Sequence, residues 1–381
     1  MLNSIFILCV CWIAYVYIGY PILVFMLGKI INRQPRKSNY EPRVTILIPA
    51  FNEVEHIAET IENKLHLLYP KEKIEIIVIS DESNDGTDDV VRAYSKQGVK
   101  LLRQVPRQGK TSGLNLAMSQ ASGDIVVFSD ANSIYDKDAL RNIVENFSDP
   151  KIGYVTGKMV YINSTGAIIG DGCGAYMRYE NLIRKYESKL NSVVGVDGGI
   201  DAVRKKLYRP MNADQLPDFV LPLNVVEQGY RVVYEEQALL KEEALTNSNT
   251  EYKMRVRVSL RALWALLDKR ALFNPIRFPL FSWELFSHKL LRYLVFIPQA
   301  SLIVLNALLI TAGTLYILFA VLQTLVYLFA YFGYLAEKNK VSAPFYISLP
   351  HYFVVVNSAA AQAFFMFLRG KKVVLWKPRS G

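Results

Sequence analysis

Two patterns of apolar and polar positions divide this chain. Between residues 44 and 147, short apolar runs at about 44–49, 74–80, 99–103 and 125–129 alternate with segments at about 53–68, 86–97, 110–121 and 137–147, where apolar residues recur at helical spacing. Uninterrupted apolar runs of this length predict strands buried on both faces, and the amphipathic segments between them supply the crossovers. The alternation therefore predicts an α/β domain with a mostly parallel sheet and helices on its faces. Beyond residue 150 the pattern loosens into a strand at 152–162, a long helix around 172–190, the glycine-rich run GVDGGIDAV and a helix near 218–229. The second pattern is the absence of formal charge over residues 1–28, 293–336 and 341–368.

A helix needs about 20 apolar residues to cross a bilayer. Residues 1–28 read as one transmembrane helix, and 293–336 read as two with a turn near Thr311 to Thr314. Residues 341–368 are long enough for another, but Pro344, Pro350, His351, Asn357, Ser358 and Gln362 make that segment a poor lipid-facing helix. Ahead of these spans, Lys253, Arg257 and Arg261 lie four apart and share a helical face. The following segment, FNPIRFPLFSWELFSHKLLRYL, mixes aromatic with basic residues, the composition of a helix lying in the headgroup zone. The expected organisation is a transmembrane helix at 1–30, an α/β domain at 40–250 and interfacial helices at 251–292. Two transmembrane helices at 293–336 and a last membrane or re-entrant segment with a basic tail at 341–381 complete it.

Charge gives this plan an orientation. The net charge is +10, but 7 Lys/Arg against 1 Asp/Glu follow residue 336, which leaves 37 against 33 for the region between residues 29 and 292. A nucleic-acid binder would concentrate basic residues on the folded domain, so no nucleic-acid partner is expected. A basic tail beside membrane lipid fits better. Lys29, Arg33, Arg36, Lys37 and Arg43 follow the first span and keep that side in the cytosol. The chain is expected in the cell membrane as a multi-pass protein with a cytoplasmic α/β domain. Three C-terminal spans would leave the basic tail outside, against the same rule, so residues 341–368 are expected to be re-entrant or interfacial. Cys9 and Cys11 fall in the first span and Cys173 stands alone, giving neither a disulfide framework nor a cysteine metal site.

The apolar runs of the sheet end in polar clusters, PAFNE, SDESNDGT and SDAN, which carry Asn52, Glu53, Asp81 and Asp130. Strand ends converge on the carboxyl edge of an open α/β sheet, where ligands bind. Acids gathered there suggest a site for a metal-bound nucleotide. With RQGKTSGLN and the later PDF, this ordered series resembles the motifs of the family-2 inverting glycosyltransferases, in the membrane-embedded group that includes cellulose-synthase-like and hyaluronan-synthase-like enzymes. The resemblance runs from about residue 43 to 290. It implies the glycosyltransferase A fold, a Rossmann-like mixed sheet, here with transmembrane helices at both ends.

The resemblance also implies roles. Pro49, Ala50, Phe51, Asn52 and Glu53 would form the loop under a nucleotide base, Asp81 would contact uridine and Lys110 would face the donor. Asp130 and Asn132 stand at the Asp-x-Asp metal motif, so Mg²⁺ or Mn²⁺ is expected as cofactor. The amide at Asn132 lowers the affinity for the cation, because it offers an oxygen without a charge. Asp218, where the family has an acidic pair, inherits the general-base role, with Asp214 as the reserve. Asp197 and Asp201, in the glycine-containing loop, would meet sugar hydroxyls. Arg257 alone matches the Gln-x-x-Arg-Trp motif of processive members, with Arg255 beside it, and a basic helix face resting on lipid phosphates accounts for it equally well. The expected activity is hexosyl transfer from a UDP-sugar to a growing cell-surface polysaccharide. The alternatives are a single addition to a lipid-linked acceptor and a catalytically silent membrane subunit of a polysaccharide assembly complex.

Overall fold

The computed structural model describes residues 1–162, 172–243, 248–339 and 341–374. They fall into two compact units, one of Met1–Leu27, Ile168–Ile183 and Leu245–Lys371, the other of Gly28–Ala167, Arg184–Ala244 and Lys372–Gly381. The chain opens with α1 (Leu2–Ala14) and α2 (Tyr20–Ile31), joined through a π-helical turn at Tyr15–Gly19. Then come β1 (Val44–Ala50), α3 (Ile57–Leu65), β2 (Ile74–Ser80), α4 (Thr87–Ala93), β3 (Val99–Arg103), α5 (Lys110–Gln120), β4 (Ile125–Ser129) and the two-residue β5 (Ile134–Tyr135). After α6 (Ala139–Glu145) and β6 (Ile152–Ile162) follow α7 (Gly172–Leu190), β7 (Ile200–Arg204), α8 (Pro217–Glu227) and β8 (Arg231–Glu243). The remaining helices are α9 (Ser248–Asp268), α10 (Pro279–Leu285), the one-turn α11 (Leu291–Tyr293), α12 (Phe296–Leu309), α13 (Thr314–Lys338) and α14 (Phe345–Leu368).

The α/β unit is built on one sheet of order β3-β2-β1-β4-β7-β6-β8-β5. Its core follows from the apolar runs. Every residue of β1 is buried, and Ile46, Leu47 and Ile48 pack beside Ile76 to Ile79 of β2 and Val126 and Val127 of β4. Each such side chain taken from water contributes on the order of 1.5–3 kcal/mol. The sheet is mostly parallel as expected, since β6 and β8 also pair parallel, and only β7 and β5 are reversed. Strands β3, β2, β1 and β4 are parallel, but β7 runs antiparallel to both β4 and β6, and β5 runs antiparallel to β8. The reversing strand is IDAVR, which carries a buried aspartate and follows two glycines, so it shows no apolar run of its own.

In the other unit, α1 packs on α12 through Phe6, Cys9, Leu302, Leu305 and Leu309, with the rings of Tyr316 and Phe319 set edge-on to Phe6. Among the described residues three helices are long and apolar enough to cross a membrane: Leu2–Ile31, Thr314–Lys338 and Phe345–Leu368. A further pair, Pro279–Tyr293 with Phe296–Leu309, passes the same test only together and is bent by 52°. The segment expected to be re-entrant or interfacial is one continuous 24-residue helix, α14. Its proline, Pro350, removes one intrahelical hydrogen bond without interrupting the helix. The break falls instead between α11 and α12. On α9 the basic face is not uniform, because Lys253 is exposed, Arg257 half-buried and Arg261 buried.

Candidate functional site

The carboxyl edge of the sheet is laced together by its own loops. Asn52 and Glu82, directly after β1 and β2, have φ of 54° and 61°, a conformation asparagine tolerates and glutamate seldom adopts. The two turns are tied by Asn52 N–H donating to Ser83 Oγ at 3.1 Å and Asn84 N–H donating to Asn52 Oδ1 at 3.0 Å. Asp85 accepts from the N–H groups of Val54 and Thr87, and Glu53 N–H donates to Thr87 Oγ1. Ala50 is the buried end of β1. The Phe51 ring lies under the Arg107 guanidinium, whose carbon is 3.4 Å from the ring centroid.

Asp81 organises the next loop. Only 3% exposed, its carboxylate accepts from Gln104 Nε2 at 2.5 Å, Gln108 N–H at 2.9 Å and Gly109 N–H at 3.0 and 3.2 Å, with Arg107 Nε at 3.4 Å. The sequence assigned Asp81 to a ligand. In the structure it holds the RQG loop, and the loop presents Lys110 at the first position of α5.

Lys110 joins two of the candidate acids. Its Nζ donates to Asp130 Oδ1 at 2.8 Å and lies 3.5 Å from Asp218 Oδ1. Burial alone would lower the pKa of this ammonium, but Asp130 and Asp218 outweigh it and raise the pKa, so Lys110 stays charged. Asp218 arrives in the first turn of α8, with Pro217 fixing the helix start. The chain leading to it is tied to α5, since Thr111 Oγ1 donates to the Gln215 carbonyl and Asn115 Nδ2 to that of Met211.

The glycine-rich loop packs against Asp218 from the other side. At Gly198, φ is +87°, and a Cβ there would stand 2.4 Å from Asp218 Cγ, so both backbone and space require glycine. Gly198 N–H donates to Asp201 Oδ2 at 3.0 Å. Asp201 is 1% exposed, and its other oxygen is buried without a hydrogen-bond partner. Burial, helped by the negative charges of Asp218 and Asp197, pushes its pKa up to about 7. Asp197 pairs with Arg184 at 2.5 Å, and Arg184 Nε also holds the Gly195 carbonyl. Both aspartates therefore support the loop.

The structure thus brings together Lys110, Asp130 and Asp218, with Asn132 half-buried two residues beyond Asp130. Asp214, the reserve base, pairs with Lys372 at 2.5 Å. Arg257 and Arg255 lie on α9 in the other unit, where Arg255 bonds Glu251 and Tyr352. Sequence reasoning missed Arg107, Gln104 and Gly198. The first two lie in or beside the quoted RQGK motif, and the signal for Gly198 was the doubled glycine two residues before Asp201. Among the described residues no three His, Cys, Asp or Glu side chains gather as a protein-only metal cage. One half-exposed carboxylate and one amide nevertheless fit Mg²⁺ or Mn²⁺, which take hard oxygens and commonly complete their shell with nucleotide phosphates.

Residues 45–209 match the sequence profile of Glycosyl transferase family 2. The chain is similar to the probable glycosyltransferase YdaM of Bacillus subtilis (strain 168), 26% identical over 260 residues that cover 64% of this chain and 61% of that protein. It is also similar to the poly-beta-1,6-N-acetyl-D-glucosamine synthase of Staphylococcus aureus (strain COL), 29% identical over 245 residues that cover 62% and 59%. The match spans about three-fifths of the length of these relatives. Among solved structures, the mannosyltransferase PcManGT from Pyrobaculum calidifontis, in complex with GDP-Man and Mn²⁺, aligns with a TM-score of 0.71 at 22% identity, covering 97% of this chain and 100% of that one. This likeness establishes the fold, a mixed glycosyltransferase A type sheet with apolar helices at both ends of the chain.

Proposed function

The chain carries a glycosyl transferase family 2 domain over residues 45–209, and from that premise we propose a membrane-bound inverting glycosyltransferase that takes a UDP-sugar from the cytosol and extends a cell-surface polysaccharide. The observation that carries this reading is Lys110 held between Asp130 at 2.8 Å and Asp218 at 3.5 Å, at the carboxyl edge of the sheet. Asp218 is the general base. It takes the proton of the acceptor hydroxyl as that oxygen bonds the anomeric carbon, while the bond from this carbon to the diphosphate breaks on the opposite side and the nucleoside diphosphate leaves. Lys110 stabilises the charge that grows on the leaving oxygen. Asp81 keeps the loop bearing Lys110 in place, and the stack of Arg107 on Phe51 offers a flat surface to the nucleotide base. Asp130 and Asn132 would hold Mg²⁺ or Mn²⁺, whose contribution is to neutralise the diphosphate.

The tail supports the membrane arrangement. Lys372 belongs to the α/β unit through its pair with Asp214. With α13 and α14 crossing out and back, Arg369, Lys371 and Lys372 return to the cytosolic side, as their charge requires. The bent pair at 279–309 then enters and leaves on that same side. Two spans reconcile the charge with the helices where three did not.

The test is purified full-length protein in detergent with a panel of UDP-hexoses and GDP-mannose, in Mg²⁺, Mn²⁺ or EDTA, with nucleotide release and product length both measured. Release with a UDP-sugar and a ladder of products is the expected result. A single product addresses the lipid-linked alternative, and no release from any donor overturns the enzymatic reading.

A further inference from the structure

Beneath the Asp130-Ala131-Asn132 turn lies a buried lysine that the catalytic reading does not use. Lys64, on α3, is completely buried, and among the described residues it forms no ion pair. Its Nζ donates to the Ser133 carbonyl at 2.5 Å and to Asn63 Oδ1 at 3.0 Å, and sits 3.6 Å from the centroid of the Tyr135 ring. Thr60 stands three residues before Asn63 and four before Lys64, so the three side chains share one face of the helix. Thr60 Oγ1 donates to the Ala131 carbonyl at 2.6 Å, and Asn63 exchanges two hydrogen bonds with the backbone of Tyr135, both at 2.9 Å. One helix face therefore holds the carbonyls of residues 131, 133 and 135, alternating with the two side chains assigned to the cation. Tyr135 carries the grip further, its hydroxyl donating to the Gly199 carbonyl in the loop that packs on Asp218.

An amine enclosed without an acid is costly, and its burial holds the Lys64 pKa well below the usual lysine range. A leucine or methionine would fill the same space at lower cost, so packing alone gives no reason for a lysine here. Resting on the donor-site reading above, we propose that Lys64 is a positioning residue that sets the turn bearing Asp130 and Asn132 in the geometry that binds Mg²⁺ or Mn²⁺ with the donor diphosphate. It acts through backbone carbonyls and touches neither metal nor sugar.

The test titrates Mn²⁺ into full-length protein in detergent with UDP present, reading bound Mn²⁺ by electron paramagnetic resonance, for the wild type, Lys64→Met, Thr60→Val and Asp130→Ala. Thermal unfolding of each variant is measured beside it. Lys64→Met is expected to raise the Mn²⁺ midpoint about tenfold or more, the usual scale for losing a group that orients a metal ligand. Thr60→Val, which removes one bond to the same turn, is expected to raise it less, and it serves as the test if Lys64→Met fails to fold. Lower stability with an unchanged midpoint would make Lys64 a core residue and overturn the proposal. If Asp130→Ala moves the midpoint while Lys64→Met and Thr60→Val do not, only the Lys64 inference falls. If Asp130→Ala or the wild type shows no Mn²⁺ response, the donor-site reading falls with it.

Discussion

Replacing Asp201 by asparagine tests, through its pH dependence, the loop that packs on Asp218, the proposed general base. The carboxyl is enclosed, one oxygen takes the Gly198 N–H and the other has no partner. Its pKa stands at about 7 instead of 3.8. Because the folded value is the raised one, the unfolded chain binds fewer protons between about pH 4 and pH 7, and stability falls as pH rises through that window. One pKa unit corresponds to about 1.4 kcal/mol, so the full shift costs about 4 kcal/mol above pH 7, of which about 2.5 kcal/mol accrues between pH 5 and pH 8. Asparagine keeps the shape and the acceptor for Gly198. Its amide also offers a donor toward Thr156, the cross-strand neighbour of Asp201, whose hydroxyl is likewise buried without a partner. Asp201→Asn is therefore expected to gain stability over the wild type by about 2.5 kcal/mol between pH 5 and pH 8. Pulse proteolysis in urea, on full-length protein in detergent at both pH values, gives the two differences. Parallel pH dependences for the two proteins would mean that Asp201 ionises in the ordinary carboxylate range, and the argument from enclosure would be wrong.

Asp218→Asn should lower turnover by about 10²–10⁴ while UDP affinity changes little, since the base acts on the acceptor proton; comparable turnover in the mutant would place the base elsewhere. Asp214→Asn should cost less than about tenfold, because its carboxylate is already paired with Lys372, and a larger loss in a nucleotide-release assay would promote it to the base. Gly198→Ala forces a Cβ to 2.4 Å from Asp218 Cγ at a φ of +87°, adding about 1–3 kcal/mol of local strain; turnover should collapse in a folded protein, and a variant with full turnover refutes the close approach. Asp81→Ala frees the loop at 104–109, so hydrogen exchange there should rise together with the UDP dissociation constant, and unchanged exchange would show that the loop holds itself.

The parallel half of the sheet was legible because each of its strands is a run of apolar residues buried on both faces, as in VTILIPA and IVVFS. Beyond it β6 was legible as well, but β5, β7 and β8 were not. In β8, Glu235, Glu236 and Gln237 interrupt the apolar residues where the pairing with β6 shifts register between Thr156 and Lys158, so no period of two survives in the sequence. The membrane segments divided in the same way. Absence of charge located the helices but could not tell a crossing from a bend, because the 52° break between α11 and α12 and the continuity of α14 through Pro350 depend on what each helix packs against.

The site shows the same boundary at the level of single carboxylates. An acid at the end of a strand is visible in the sequence, but whether backbone N–H groups have already claimed it is not. The resemblance assigned Asp81 and Asp201 to ligands, yet the N–H groups of Gln108 and Gly109 take both oxygens of Asp81 and that of Gly198 takes one of Asp201. Asp130 and Asp218 kept accessible carboxylates, and both face the one ammonium of Lys110. Acids that hold loops and acids that face a crevice differ only in the geometry of the chain around them. A sequence with the same four aspartates but no glycine at position 198 would read almost identically, although Asp218 could not then occupy the place it has here.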